Sequence, residues 1–402
     1  MRTVDEHLER VLAHTAPLEP LDVPLLDSRG CLLAQPVLAP WPLPPFDAAG
    51  IDGYAVRAED LAHVVEHGPV SLSVVDEVPA GYRATHPVGP GTAIRIGSGA
   101  PMPSGADAVV GLGGTDAGTP TVRVDVPVAA GEHVRRAGAD LVAGEVVLES
   151  GAVVGAREVA LLAAVGKGRV LVRPKPRVIV ISSGTELVEP GSPMSPGLIA
   201  DSNGYMLTAA AQDAGAMALR VGPVPDEQRA LLDTFEDQLV RADLIVTTGG
   251  VTAGTYDTMR SVLARLGAVD FTRVAISPGM AQGHGYLGPD HIPIFTLPGT
   301  PSSAYVAFEV FVRPVIRRML GFEQVHRPVI RARLTAPAAG RPGRRTYLRG
   351  HLHSGATDRR VTPIAEAGLQ GLRLADSLIV LPERSGELVA GAEVSVMPLG
   401  RS

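Results

Sequence analysis

The 402 residues carry 36 Lys and Arg against 42 Asp and Glu, a net charge of −6, which argues against a general nucleic-acid binder with a basic face. With 45% hydrophobic residues the chain holds enough apolar material for about two to three domains. Its single cysteine, Cys31, excludes an internal disulfide framework and a zinc-finger type of thiolate site. No apolar run approaches the ~18 residues of a membrane span, and Met1-Arg2-Thr3-Val4-Asp5-Glu6 lacks the apolar core of a secretory signal. A soluble, cytoplasmic protein is expected.

In chain order, Val4, Leu8, Val11 and Leu12 share one helical face. Pro40-Trp41-Pro42-Leu43-Pro44-Pro45 must be extended, because each proline restricts itself and its predecessor, and it reads as a hinge. Residues 45–135 read as all-β. The short apolar runs Tyr54–Val56, Val70–Val75, Ala93–Ile96, Ala108–Val110 and Thr121–Val126 are spaced by Gly and Pro, which suggests a small barrel or sandwich. Val159, Leu162 and Ala163 predict a helix near Ala156–Val165 that Gly166 can end. Arg173-Pro174-Lys175-Pro176 is a second hinge.

Beyond it the pattern alternates. Val178–Ile181 is a continuous apolar run, as in a strand buried on both faces. A helix near Tyr205–Ala214, a strand at Ala218–Val221 and a helix capped by Asp226 follow. Next come a strand at Leu244–Val246 and a helix presenting Met259, Val262, Leu263 and Leu266. Strands near Phe271–Val274 and Ile292–Leu297 precede a long helix from about Ser303 to Leu320. A mostly parallel α/β sheet is expected. Short strands at Val329–Leu334, Thr346–Leu352, Leu378–Leu381 and Glu393–Met397 predict a terminal β-domain.

Ligands of open α/β sheets bind beyond the carboxyl ends of the strands. Three such ends here carry glycines and hydroxyls: Ser182-Ser183-Gly184-Thr185-Glu186, Thr247-Thr248-Gly249-Gly250 and Pro298-Gly299-Thr300-Pro301-Ser302-Ser303. Glycine lets backbone N–H groups approach an anion, and following helix N-termini favour negative charge. A phosphate-bearing ligand is expected. Glu186, Asp201 and Asp257 interleave with these loops and suggest Mg²⁺, an ion that prefers oxygen ligands beside phosphates. Asp201 and Asp257 also stand where helix caps would, and both roles can coexist. No Gly-x-x-x-x-Gly-Lys-Ser/Thr loop is present. His63-Val64-Val65-Glu66-His67 matches the inverted zincin pattern, but Gly68-Pro69 stops any helix there, so a solvated short helix is the better account.

Several blocks together resemble the molybdopterin molybdenumtransferases, relatives of the C-terminal domain of gephyrin. They are Pro44-Pro45-Phe46-Asp47 with Ile51-Asp52-Gly53-Tyr54, Ser98-Gly99-Ala100-Pro101 with Gly105-Ala106-Asp107, and Arg135-Arg136-Ala137-Gly138-Ala139-Asp140. Next come Ser182 to Leu187, Asp201-Ser202-Asn203-Gly204, Thr248-Gly249-Gly250-Val251 with Gly254 and Asp257, and Leu297-Pro298-Gly299. The ordered set spans essentially the whole chain and is specific where any one block is weak.

The resemblance implies an elongated multidomain α/β plus β protein. A helical hinge region is assembled from 1–44 and 136–171, with an inserted β-domain at 45–135. A doubly wound α/β molybdopterin-binding domain covers 172–321, and a small C-terminal β-barrel covers 322–402. It implies a homodimer that consumes adenylylated molybdopterin and molybdate, releases AMP and places molybdenum on the dithiolene with Mg²⁺ or another divalent cation. Implied partners include the adenylyltransferase that supplies the substrate and downstream molybdoenzyme maturation factors. Glu186, Asp201 and Asp257 become active-site acids and metal ligands. Asp52, Ser98 and Asp140 become catalytic residues reaching the partner subunit's site. Ser182, Gly184, Thr248, Gly249, Gly250, Ser277, Gly299, Thr300, Ser302 and Arg349 become substrate-binding residues.

There are departures from the family pattern. Ser277-Pro278-Gly279-Met280-Ala281 stands where the family has Lys-Pro-Gly-Lys-Pro, and Thr300 and Thr185 replace an Asn and an Asp. Gly368-Leu369-Gln370-Gly371 lacks the usual Gly-Ser. Losing two ammonium groups should weaken a site for the molybdate dianion, with Arg349 and Arg345 compensating in part. A second reading is a paralogue that binds molybdopterin but inserts metal poorly, as a carrier or scaffold.

Overall fold

The computed structural model describes residues 1–249, 256–353 and 359–400, without the side chains of residues 256 and 257. The chain folds as two compact units. One comprises Met1–Leu21, Gly30–Leu32 and Leu171–Ser402, the other Asp22–Arg29 and Leu33–Val170.

The first unit is built on a six-stranded sheet. Its strands are β1 (Arg177–Ser183), β2 (Met217–Val224), β3 (Leu244–Thr248), β4 (Gly267–Arg273), β5 (Ala281–Leu287) and β6 (Ile292–Leu297), in the order β2-β1-β3-β6-β5-β4. All pairings are parallel except the two that β5 makes. Alternate residues of β1 feed two cores. Val178 and Val180 pack with Leu207 and Ala211 of helix α2 (Asn203–Asp213) and with Phe308 and Phe311. Ile179 and Ile181 pack with Leu231 and Phe235 of helix α3 (Gln228–Leu239) and with Met259 and Leu263 of helix α4 (Tyr256–Leu266). Each fully buried aliphatic side chain contributes roughly 1.5–3 kcal/mol. Helices on both faces make the domain doubly wound, as expected.

The N-terminal helix α1 (Val4–Ala13) opens with a capping box. The Thr3 hydroxyl accepts the Glu6 N–H at 3.2 Å, and the Glu6 carboxylate accepts the Thr3 N–H at 2.8 Å. The family resemblance implies that this helix belongs to the hinge region. Its Val4 and Val11 instead join the α/β core, which gives its apolar stripe the cover it needs.

Two elements differ from expectation for identifiable reasons. The long helix is divided into Pro301–Ala307, a π-helical turn at Phe308–Val312 and Arg313–Met319. Pro314 has no N–H to continue an i→i−4 ladder, which fits the change of pitch before it. Strand β5 was not anticipated, because Gln282-Gly283-His284-Gly285 lacks β-formers. Its glycines are there for close approach: a Cβ at Gly283 would lie 2.0 Å from the Thr296 hydroxyl, and one at Gly285 2.0 Å from the Ala268 carbonyl.

The C-terminal strands Ile330–Leu334, Arg345–His353, Arg360–Pro363, Ser377–Leu381 and Glu393–Pro398 close into a five-stranded barrel, because 345–353 pairs with both 360–363 and 377–381. Ile276–Ser277 pairs with Arg345–Thr346 and so fixes the loop before β5 against the barrel.

The second unit holds a five-stranded sheet of Ala108–Gly111, Gly53–Val56, Thr92–Ile96, Val70–Val78 and Thr121–Val124, in that spatial order. All five predicted runs are present, as one mixed sheet with an apolar core on each face rather than a barrel or sandwich. Residues from either side of it in sequence pair with each other: Val37–Leu38 with Val146–Leu148, and Ala48–Ala49 with Val134–Arg135. The predicted helix is Ala156–Ala164. Among the described residues, no helix is long and apolar enough to cross a membrane.

His7 on α1 is only 1% exposed and meets Phe311 edge-on, with ring centroids 4.7 Å apart. Burial, aided by nearby His284 and Arg2, pushes its pKa down from 6.5 to about 3. Burial likewise pushes His284 down to about 4, against the Ile294 carbonyl that raises it. The unfolded chain therefore takes up protons near pH 6.5 that the folded chain refuses until about pH 4 or below. Stability should fall as pH drops through that window, by on the order of 1 kcal/mol per pH unit for each histidine. The melting temperature of His7→Gln should fall less than the parent's between pH 7 and pH 4.5. Identical slopes in the two proteins would refute this account.

Candidate active site

The ends of β1, β3 and β6 lie side by side. Ser182 is in register with Thr248, and Thr248 with Leu297. The three Gly- and hydroxyl-bearing loops therefore start side by side at one edge of the sheet, at the switch point between β1 and β3. The loops are held tightly. A Cβ on Gly249 (φ +94°) would fall 2.0 Å from the Ser183 carbonyl, and the ideal Cβ position of Gly299 lies 3.7 Å from Gly249 Cα. Asn203 ties the second and third together, its side-chain amide donating to Thr248 Oγ1 at 2.9 Å and to the Gly299 carbonyl at 2.7 Å. The Thr248 hydroxyl donates on to the Pro298 carbonyl at 3.1 Å.

Two acids that the resemblance places in the site, Asp201 and Glu186, are in different situations. Asp201 is 1% exposed and both its oxygens are engaged. One accepts the Ser182 hydroxyl at 3.0 Å and the Gly204 N–H at 2.8 Å; the other meets Arg220 at 3.3 Å. These bonds are those of a helix-capping clamp with a cation attached. A Cβ on Gly204 would sit 2.4 Å from Asp201, so glycine is required there. Glu186 is exposed and has no ion pair among the described residues; its carboxylate folds over Gly184, whose Cβ would meet it at 2.7 Å. Mg²⁺ is usually held by one or two carboxylates together with substrate phosphates and water. Glu186 fits that demand, whereas the Arg220 guanidinium beside Asp201 opposes a second cation there. Asp257 and Gly250 lie outside the described residues.

Arg220, Asn203 and Asp226 had no assigned part in this edge. Arg220 also pairs with Glu189 at 2.7 Å, and this hydrogen bond holds the Glu189 carboxyl below its usual range. Asp226 accepts the Ser183 hydroxyl, and its N–H reaches Thr185 Oγ1 at 3.3 Å. A lone Arg in a mostly apolar strand was the available signal for Arg220.

The third loop leads into a cavity of about 650 Å³ between the sheet edge and the barrel. Ser277, Ser302, Arg341, Thr346 and Arg349 supply its polar lining. Arg349 lies 3.5 Å from the Ser302 hydroxyl and 3.3 Å from the Gly368 carbonyl. Thr300 starts the helix above, with its hydroxyl 2.7 Å from that of Ser303. The macrodipole and the first-turn N–H groups of that helix favour an anion here. Met280 does not line this cavity; its sulfur sits 4.0 Å from the Arg273 guanidinium. Nor does Arg345, which is committed to Asp5 at 2.7 Å and Glu383 at 3.0 Å. Arg341, the first residue of the basic run 341–345, is a further cation of this lining.

With this geometry in view, the likenesses to known proteins are consistent along the whole chain. Residues 2–166 match the MoeA N-terminal region (domain I and II), residues 179–318 a family described as "probable molybdopterin binding domain", and residues 331–399 the MoeA C-terminal region (domain IV). Molybdopterin molybdenumtransferase 2 of Mycobacterium tuberculosis is 39% identical over 406 residues, covering 99% of this chain and 100% of that one. The chain belongs to the molybdopterin molybdenumtransferase family. Molybdopterin molybdenumtransferase of Bacillus subtilis is 33% identical, over 98% of this chain and 93% of its own length. A crystal structure of the molybdopterin biosynthesis MoeA protein from Pyrococcus horikoshii superposes with a TM-score of 0.79 at 32% identity, covering 99% of each chain.

The molybdenumtransferase blocks of the second unit are partly assembled. The Asp52 carboxylate accepts the Ser98 N–H at 2.7 Å, and the Ser98 hydroxyl reaches the Gly50 carbonyl at 3.3 Å. Asp140 is bonded elsewhere, to Arg135 at 3.2 Å. All three are exposed. His63, Glu66 and His67 bring ligand atoms within 4.8 Å of one another, but all three are exposed, on and just before the four-residue helix Val64–His67, whose Val64 is buried in the core.

Proposed function

We propose that this chain is a molybdenum insertase that cleaves adenylylated molybdopterin, releases AMP and places molybdate-derived molybdenum on the dithiolene. What carries the reading is the alignment of three Gly- and hydroxyl-bearing strand ends beside an Arg-lined cavity, in a chain similar over its full length to proteins named molybdopterin molybdenumtransferase. The strand-end loops would cradle the phosphates of the substrate. Asp201 would act as a positioning residue, holding Ser182 and the start of α2. Glu186, with Asp257 as the expected second acid, would hold Mg²⁺, which supplies charge neutralisation at the phosphoanhydride. Ser277, Ser302 and Arg349 would receive the oxyanion. Relatives named as transferases do not favour the carrier reading. A cytoplasmic location belongs to the same proposal.

The test is to supply adenylylated molybdopterin, Mg²⁺ and molybdate to the purified chain and follow AMP and molybdenum cofactor together. AMP release with cofactor formation supports the reading, and neither product defeats it. AMP release without insertion at any molybdate concentration would return the carrier reading.

Asp52, Ser98 and Asp140 complete the site, in this reading, from the other subunit of a homodimer. Asp52→Ala and Glu186→Gln chains, each impaired alone, should then regain some activity as hybrid dimers. A chain that is monomeric at micromolar concentration would exclude such sharing.

A further inference from the structure

The cavity between the sheet edge and the barrel has two charged lining residues, Arg341 and Arg349, and no lining carboxylate. Among the described residues neither arginine forms a salt bridge. Arg345, between them in sequence and outside the lining, is held by Asp5 at 2.7 Å and Glu383 at 3.0 Å. Arg349 meets neutral acceptors, the Ser302 hydroxyl at 3.5 Å and the Gly368 carbonyl at 3.3 Å. Two guanidinium groups among the hydroxyls of Ser277, Ser302 and Thr346, with no acid to neutralise them, suit a ligand that carries two negative charges.

The backbone at Arg341 is fixed. Arg341-Pro342-Gly343-Arg344 is a tight turn, closed by the Arg344 N–H on the Arg341 carbonyl at 3.0 Å. Pro342 and Gly343 (φ +80°) take its two central positions, the residues that a type II turn selects. The Arg341 N–H donates to Thr346 Oγ1 at 3.0 Å, and the Thr346 hydroxyl donates on to the Arg344 carbonyl at 3.2 Å. The Gly343 N–H is bound to the Glu383 carbonyl at 2.8 Å. Thr346 is itself buried and in register with Ser277. The turn therefore sets Arg341 on the Ser277 side of the cavity, while Arg349 stands on the Ser302 side.

We infer that Arg341 is the second cation of this site, and that the two arginines hold a tetrahedral dianion between them before any pterin substrate arrives. The inference rests on the reading that this cavity receives the oxyanion. Arg349 brings positive charge to the Ser302 side. Arg341 brings it to the Ser277 side, where the serine offers only a neutral donor. A monoanion of the same shape leaves one guanidinium uncompensated, so the site selects by charge as well as by shape.

Calorimetric titration of the substrate-free full chain with molybdate, and with perrhenate as a tetrahedral monoanion, tests this. An ionic strength of about 0.15 M confines charge effects to about 8 Å. Arg341→Ala removes an exposed side chain and keeps the backbone bonds of the turn, so it should fold. The parent should bind molybdate about tenfold more tightly than perrhenate. Arg341→Ala should weaken molybdate about tenfold and bring it close to perrhenate. Arg344→Ala changes the same turn at a residue outside the lining and should match the parent. Parent affinity for molybdate in Arg341→Ala would overturn the inference. An equal loss in Arg344→Ala would too, because the basic run would then act as a diffuse field and not as a site. No molybdate binding by the parent would also overturn it. Arg349→Ala separates this inference from the reading beneath it. If both Arg349→Ala and Arg341→Ala bind molybdate like the parent, the cavity is not the oxyanion site and both fall. If Arg349→Ala alone is weakened, the reading stands and Arg341 has no part in it.

Discussion

Replacing Glu186 by glutamine should leave folding intact and slow AMP release by about a hundredfold. The side chain is exposed and has no ion pair among the described residues, so its loss is expected to remove only a ligand for the ion. A residue that supports a metal site typically accounts for about 10–100-fold in activity. Asp201→Ala should behave in the opposite order, with the fold failing first. Its carboxylate is buried under Ser182, Gly204 and Arg220. Removing one partner of a buried ion pair costs about 3–5 kcal/mol. Asp201→Asn keeps an acceptor for Gly204 and Ser182, so its loss should be smaller. Urea midpoints and single-turnover AMP release, measured on the same preparations, separate the two acids. Parent-rate AMP release by Glu186→Gln would remove this residue from the site. An unchanged urea midpoint for Asp201→Ala would show that the clamp carries no stability.

The difference between these acids could not be read from the sequence. Each stands within three residues of a glycine in a loop that follows an apolar run. What separates them is Arg220, which a parallel pairing across the sheet brings beside the helix that Asp201 caps. Strands β1, β3 and β6 were legible because burial on both faces demands unbroken apolar residues. Strand β5 was not, because its close approach to β4 and β6 is achieved with glycine, a residue that argues against a strand. The alignment of the three loop starts was legible from their composition alone, since each ends a buried parallel strand. The occupation of the cations was not. Arg345 and Arg349 are four residues apart and equally basic, yet Asp5 from α1 claims the first and leaves the second to the cavity. Contacts between residues hundreds of positions apart leave no local trace in composition or period.

That assignment of cations sets the expected behaviour toward molybdate. Arg349→Ala should raise the molybdate concentration for half-maximal insertion by about tenfold to a hundredfold, the range of a charged hydrogen bond worth about 1.5–3 kcal/mol. Its guanidinium lines the same cavity as Ser277 and Ser302 and carries no salt bridge among the described residues, so its charge is available to a dianion. Met280→Lys would restore the family residue at its position, and the departure from the family pattern alone predicts tighter molybdate. The structure argues for a smaller gain. Position 280 sits beside Arg273, not on the cavity wall, and a new ammonium group would meet that guanidinium first. Like charges so placed oppose each other, and the flexible lysine must spend rotamer freedom to reach around. Ser277→Lys is the stronger repair, because Ser277 already lines the cavity at its junction with the barrel. Molybdate titrations at fixed adenylylated molybdopterin should therefore order the midpoints as Ser277→Lys below Met280→Lys, Met280→Lys near the parent, and Arg349→Ala far above it. A Met280→Lys midpoint well below that of Ser277→Lys would show that the oxyanion lies on the Arg273 side of the loop and that the Arg349 cavity serves another part of the substrate.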